Sequence, residues 1–156
     1  MGRRGLFRVF GRSIDVTDVR SHLGEWMTSG FTFERLHHVQ LDIPAGAEDE
    51  CRAFWHGVLG MTELVKPPVL AARGGCWFRG GGVEVHLGVV PEFRPSRKGH
   101  PGFQIGDLDA LAERLAAHGH EVVWDDNLPG HRRFHSSDRL GNRLEFLEPS
   151  PAAAGA

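Results

Sequence analysis

The sequence predicts an α+β domain built from two βαβββ modules, and three observations carry this prediction. The order strand, helix and three strands occurs twice between residues 31 and 149. Gly60 and Gly119 each stand where a helical pattern stops, which is a preferred place for glycine. His38 and His100 each open a strand, so the two copies are offset by roughly sixty residues, and an internal repeat is a strong fold signal.

Module one is predicted over about residues 34–91. Its first strand covers residues 35–43, because apolar and polar side chains alternate along it. A helix follows at residues 47–59, where apolar residues recur at helical spacing, and it ends at Gly60. Three further strands complete the module, at residues 62–65, 70–78 and 83–90.

Module two, over about residues 98–149, repeats this pattern. A strand at residues 100–105 precedes a helix at residues 108–118, which ends at Gly119. The last three strands are predicted at residues 121–125, 132–135 and 142–147. Together the two modules form the predicted working domain, residues 31–149.

The two ends of the chain lie outside these modules. Residues 1–30 are expected to form a partly flexible N-terminal extension with a short helix near residues 16–26. Residues 150–156 carry too little apolar surface to offset the entropy of ordering, so we expect a flexible tail.

Composition excludes several classes of partner. A content of 40% hydrophobic and 24% charged residues is ordinary for a soluble protein, and a formal net charge of −2 lacks the basic excess that nucleic acid requires. No apolar run approaches the roughly 20 residues of a membrane span, and we see no secretory signal, so we expect a cytoplasmic protein without a membrane partner. Cys51 and Cys76 are expected to stay reduced.

Four predicted strands place imidazole or carboxylate groups on one face of a sheet. Because the apolar residues of each strand should pack beneath a helix, His38, Glu84, His86, His100 and Glu145 all turn to the opposite face. A bound metal ion explains this set, since a buried carboxylate beside imidazoles is costly unless it is paired or coordinated. A solvated sheet face would show the same alternation, and spacing alone leaves both interpretations open.

Five short motifs follow one another along about 115 residues: LHHVQL at 36–41, FWHGVLG at 54–60, VHLGV at 85–89, HPG at 100–102 and DRLGNRLEFL at 138–147. In this order they resemble the vicinal oxygen chelate superfamily of glyoxalases, bleomycin-resistance proteins and dioxygenases. The resemblance implies a glyoxalase-like fold, in which the mixed sheets of two βαβββ modules curl around a shared cleft. A homodimer is a further implication, because members pair modules within or between chains.

The resemblance also implies a divalent metal ion, which is Fe, Mn, Ni, Co or Zn. Its ligands would be His38, His86, His100 and Glu145, with Glu84 as the alternative to His86. Glu145 and His86 would then be the catalytic residues of a metal-dependent lyase, isomerase or dioxygenase that acts on a small oxygenated substrate. The alternative function is a metal-free protein that binds a small molecule or antibiotic, as bleomycin-resistance proteins do.

Further residues are candidates for the wall that selects the substrate, through stacking, positive charge or an amide group. They are Gln40, Trp77, Arg79, Gln104, Arg132, Arg133 and Phe134. The aromatic members of this set also suit a core position, and the arginines also suit a solvated surface. His135 stands where some ring-cleaving relatives carry a tyrosine, which argues against a phenolic acid or base here.

Overall fold

The computed structural model describes strands β1 (Leu6–Val9) and β2 (Arg12–Asp15) and residues 31–150. The contacts divide the chain into two compact units, Met1–Arg35 and Leu36–Ala156. In the first unit β1 and β2 pair in antiparallel fashion, which the sequence patterns did not predict. The helix predicted near residues 16–26 and the tail residues 151–156 lie outside the described residues.

The first module of the second unit contains the predicted elements, with two differences. Strand β3 (Val39–Ile43) begins later than predicted, because residues 35–38 are exposed and join no sheet. The prediction of a strand from residue 70 was wrong, since a short helix with proline in its first turn occupies this place. The remaining elements are helix α1 (Glu48–Cys51), continued by a π-helical segment (Arg52–Val58), β4 (Thr62–Leu64), α2 (Pro68–Ala71), β5 (Cys76–Gly80) and β6 (Val83–Val89).

The second module repeats the order. Asp107 caps the long helix by accepting a hydrogen bond from the amide of Ala110. The elements are β7 (Gly102–Gln104), α3 (Leu108–Ala117), β8 (Val123–Trp124), β9 (His131–Ser137) and β10 (Arg143–Pro149).

The two modules form four-stranded sheets of the same topology. The strand order is β3-β6-β5-β4 in the first sheet and β7-β10-β9-β8 in the second. In each sheet the first strand of the module pairs in parallel with the last, and the other pairs are antiparallel. The prediction of an α+β fold from two βαβββ modules with mixed sheets is confirmed.

Both modules contribute to one apolar core. Trp55 of the π-helical segment contacts Phe103 of β7 with ring centroids 6.2 Å apart, and both side chains are buried. Arg114 of α3 donates hydrogen bonds to the carbonyl oxygens of Gly57 and Val58 at the end of the π-helical segment. Among the described residues, no helix is long and apolar enough to cross a membrane.

Candidate metal centre

Glu145 lies in the middle of β10, between two strands that carry the other groups of the site. Its neighbours Leu144 and Phe146 are buried in the core, so the alternation of the strand turns Glu145 to the opposite face. In the sheet register Glu145 stands opposite His135 of β9 and opposite Gly102 of β7. The prediction that Leu144 and Phe146 face the core while Glu145 faces away from it is therefore correct.

His100, His135 and Glu145 form a group that can hold a metal ion, with one ligand atom from each residue within 4.8 Å of the others. His100 Nε2 lies 3.5 Å from Glu145 Oε2, and His135 Nε2 lies 3.9 Å from Glu145 Oε1. Ligand atoms about 2.1 Å from a tetrahedral cation stand roughly 3.4 Å apart. The two observed distances end on different oxygens of Glu145, and one atom from each of the three residues lies within 4.8 Å of the others, so the side chains would draw together around a bound cation.

His100 is oriented for ligation by its second ring nitrogen. His100 Nδ1 lies 2.6 Å from the carbonyl oxygen of Lys98, which only accepts hydrogen bonds, so Nδ1 carries the proton. The other ring nitrogen, Nε2, faces Glu145 Oε2. A backbone carbonyl is a common second partner of a metal-bound histidine.

The other oxygen of Glu145, Oε1, is held by the side chain of Arg133. Arg133 Nη1 donates to Glu145 Oε1 at 2.7 Å, and Arg133 Nη2 donates to Asp125 at 3.1 Å. This pairing fixes the carboxylate plane and leaves Oε2 directed at His100. Burial lowers the pKa of His135, and the positive charge of Arg143 lowers it further, which favours the neutral imidazole that a metal requires.

Gly102 leaves the space that the Glu145 carboxylate occupies. A Cβ atom at Gly102 would lie 3.0 Å from Glu145 Oε2, closer than ordinary van der Waals contact. The HPG motif therefore supplies a candidate ligand, His100, and through Gly102 the space that the Glu145 carboxylate occupies.

A second cluster lies on β5 and β6 in the first module. His86 is 7% exposed and is stacked between two rings, with centroid distances of 4.0 Å to His38 and 3.9 Å to Trp77. His86 Nε2 lies 2.8 Å from Glu84 Oε1, and Arg79 donates to Glu84 Oε2. The Glu84 carboxylate thus has both oxygens engaged within its own strand pair.

Electrostatics in this cluster favour a neutral His86 beside an ionised Glu84. The hydrogen bond from His86, followed by that from Arg79, lowers the pKa of Glu84 to about 2. Burial outweighs the effect of Glu84 and lowers the pKa of His86. Neutral His86 then donates from Nε2 to Glu84 and keeps its lone pair on Nδ1.

The structure distributes the four predicted ligands over these two clusters. It brings His100 next to Glu145 and His38 next to His86. Within the described part of the chain, the group that meets the distance condition for a metal contains His100 and Glu145 but neither His38 nor His86. It adds His135, which sequence reasoning did not include as a ligand, although the strand pattern placed it on β9.

The candidate wall residues occupy different surroundings. Trp77 and Arg79 belong to the His86 cluster, and Arg133 holds Glu145. Phe134 is fully buried in the core, and Arg132 bonds to Asp109 of α3 and to Glu148. The side-chain amide of Gln40 packs against Gly88 of β6. Gln104 lines an apolar cavity of about 290 Å³ between the modules.

Comparison with known proteins places the chain in a family. Residues 35–146 match the profile of the Glyoxalase/Bleomycin resistance protein/Dioxygenase superfamily. The chain is 41% identical to a protein from Bacillus anthracis described as of the glyoxalase family, with a TM-score of 0.74 over 77% of this chain and 98% of that one. The chain therefore belongs to this superfamily.

More distant structures share the fold. A lactoylglutathione lyase from Agrobacterium tumefaciens is 19% identical, with a TM-score of 0.60 over 76% of this chain and 96% of that one. An antibiotic binding protein from Streptomyces sp. CB03234 is 24% identical, with a TM-score of 0.55 over 76% of this chain and 100% of that one. No protein of curated function has a significantly matching sequence.

Proposed function

We propose that the chain is a metal-dependent enzyme of the lyase, isomerase or dioxygenase type, acting on a small oxygenated substrate. The observation that carries this proposal is the meeting of His100, His135 and Glu145, three donors suited to Fe, Mn, Ni, Co or Zn. Three protein ligands leave coordination positions open, as a catalytic site requires and a structural site does not.

The roles of the residues follow from their contacts. A divalent cation bound at this group supplies Lewis acidity to a substrate that presents two neighbouring oxygens. His100 and His135 offer ring nitrogens, and Glu145 offers Oε2 while Arg133 holds Oε1. The side chain of Glu145 is 13% exposed, so little water competes for its oxygens.

His86 is the candidate proton acceptor. Its Nε2 is bound to Glu84, and no other described residue forms a hydrogen bond with its Nδ1, so this atom is free to take a proton. Arg79 and Glu84 act as positioning residues that set the tautomer of the ring.

A homodimer is part of the proposal. His38 and His86 form one cluster and His100, His135 and Glu145 another, and the two do not merge into one ligand group within a chain. Two copies that pack about a two-fold axis would bring one cluster of each kind together, since closed two-fold assembly repeats each contact twice. His38 of one copy would then join the metal group of the other as a fourth ligand, and His86 would lie beside it as the proton acceptor.

Metal titration of chelator-treated protein tests the proposal. Wild-type protein is expected to bind Co²⁺ or Zn²⁺ stoichiometrically, and His100→Ala and Glu145→Ala should each weaken binding by about a hundredfold or more. His118→Ala is the matched control, because His118 is exposed just after α3 and its ring contacts the carbonyl oxygen of Arg114, away from the metal group. Equal affinity in all variants would refute the site, and a wild-type protein that binds an antibiotic but no metal would favour the alternative function.

A further inference from the structure

The connection between the modules, residues 91–99, is a basic loop fixed at several points. Its sequence PEFRPSRKG carries Arg94, Arg97 and Lys98 against one acidic residue. Pro95 packs on the turn at Gly141, where an added Cβ would lie 3.3 Å from the proline ring. Arg143 of β10 donates from Nη1 to the carbonyl oxygen of Arg97 at 3.3 Å. The loop is thus attached to the start of β10.

This attachment gathers three guanidinium groups around one cavity. Arg94, Arg97 and Arg143 line a cavity of about 570 Å³ together with Pro95, Ser96 and Gly141. Within the described residues, none of the three arginines has an Asp or Glu oxygen within 4.0 Å of its nitrogens. Other arginines do have such partners, namely Arg52, Arg79, Arg132 and Arg133. Arg94, Arg97 and Arg143 have no acidic counter-charge among the described residues, and they differ from the other described arginines without one in lining a single cavity together.

Three like charges around one cavity repel one another, and an anion bound among them removes that repulsion. Guanidinium groups match the geometry of phosphate and carboxylate oxygens and bind them through two parallel hydrogen bonds. A dianion offsets three positive charges better than a monoanion does.

The cavity adjoins the candidate metal centre. Arg94 and Ser96 also line a neighbouring cavity of about 480 Å³, whose wall includes His100 and Gln40. Asp42 also lines this neighbouring cavity, and its negative charge opposes anions there, which favours the arginine side for the negative group. A ligand seated on both cavities therefore has its anionic end at the arginines and its other end beside His100.

We infer that Arg94, Arg97 and Arg143 bind an oxyanion of the substrate, of the phosphate or phosphonate class. This inference rests on the proposed function only in assigning the anion to the substrate of the metal site. It identifies the substrate as a small molecule with a dianionic group at one end and neighbouring oxygens at the other.

Calorimetric titration of chelator-treated, full-length protein with inorganic phosphate, and separately with acetate, tests the inference. Arg94→Gln and Arg97→Gln should each weaken phosphate binding by about tenfold, because a charge-assisted hydrogen bond is lost. Arg73→Gln removes the same charge from an exposed position after α2 and should leave phosphate binding unchanged. Both loop arginines are exposed, so these variants should keep the fold and the melting temperature of the wild type.

Three outcomes would overturn the inference. They are the absence of saturable phosphate binding, an equal loss in all three variants, and tighter binding of acetate than of phosphate. Because the titration uses metal-free protein, its result is independent of the metal titration. Arginine-dependent phosphate binding without metal binding would leave the anion site standing and refute only the proposed function.

Discussion

Glu145 shows how much of the candidate site depends on single atoms. One carboxylate oxygen is held by Arg133, the other faces His100, and the space for both exists because Gly102 has no side chain. A ligand constrained in this way loses little rotamer entropy when it binds a cation.

Gly102→Ala is expected to weaken metal binding by about ten- to a hundredfold, the range for changes that displace a ligand indirectly. The added Cβ would lie 3.0 Å from Glu145 Oε2 and push the carboxylate away from His100. Gly106→Ala is the control, since a Cβ at Gly106 meets nothing within 4 Å. Calorimetric titration with Zn²⁺ measures both variants, and equal affinities would show that the Gly102 space does not position Glu145.

At the scale of elements, the turn between β9 and β10 connects the two modules. The Asn142 side chain is buried and donates from Nδ2 to the carbonyl oxygen of Asp42, on β3, and to Asp138 Oδ2, each at 3.0 Å. Asp138 Oδ1 in turn accepts from the amides of Leu140 and Asn142. One amide side chain thus fixes both the turn and its attachment to the other module.

Asn142→Ala should lower the free energy of unfolding by about 1–3 kcal/mol, because the buried Asp138 carboxylate and the partly buried carbonyl of Asp42 lose their donor. Urea denaturation measures the change. Ser136→Ala is the contrasting variant, since the buried Ser136 hydroxyl has no hydrogen-bond partner among the described residues, and its removal should be neutral or stabilising. A larger loss for Ser136→Ala than for Asn142→Ala would contradict this account of the turn.

Helix α1 provides a pH-dependent attachment to the sheet. Glu48 Oε1 accepts a hydrogen bond from the amide of Gly75 at 2.8 Å, and this bond is the main cause that lowers the pKa of Glu48 from its usual 4.5. A carboxyl group with a lowered pKa stabilises the fold above its unfolded pKa, and this contribution is lost as the pH falls through the folded value.

Glu48→Gln should therefore cost about 1 kcal/mol of stability near pH 7, and the difference from wild type should shrink as the pH falls below 4.5. Glu50→Gln is the control, because Glu50 is exposed on the same helix and accepts no such bond. Unfolding curves between pH 3 and pH 7 measure the difference. A Glu48→Gln cost that stays constant over this range would contradict the assignment.

At the scale of the whole molecule, the duplicated pattern predicted the architecture because each module repeats one order of elements. Alternation along β10 placed Glu145 opposite the core, whereas His100 was predicted to open a strand and instead lies just before β7. His135 was not identified as a ligand because its position depends on the register of β9 against β10, which the pattern of one strand does not determine. The short run after Pro68 suits either a strand or a helix, and the proline in its first turn favours the helix.

The assembly prediction concerns two copies of the chain. If the sites are shared between subunits, His38→Ala and Glu145→Ala should each lose tight metal binding. Unfolding and refolding them together should restore it in roughly a quarter of the sites, those with both native residues. Light scattering checks the dimer and calorimetry counts the sites. A monomeric protein, or a His38→Ala variant with wild-type affinity, would contradict the shared site.

The central claim is that His100, His135 and Glu145 bind one divalent cation. Anomalous diffraction at the cobalt edge from crystals grown with Co²⁺ tests it most directly. We predict a peak about 2.0–2.2 Å from nitrogen atoms of His100 and His135 and from a carboxylate oxygen of Glu145. An anomalous peak at another place, or no peak in crystals grown with Co²⁺ in excess over protein, would contradict the claim.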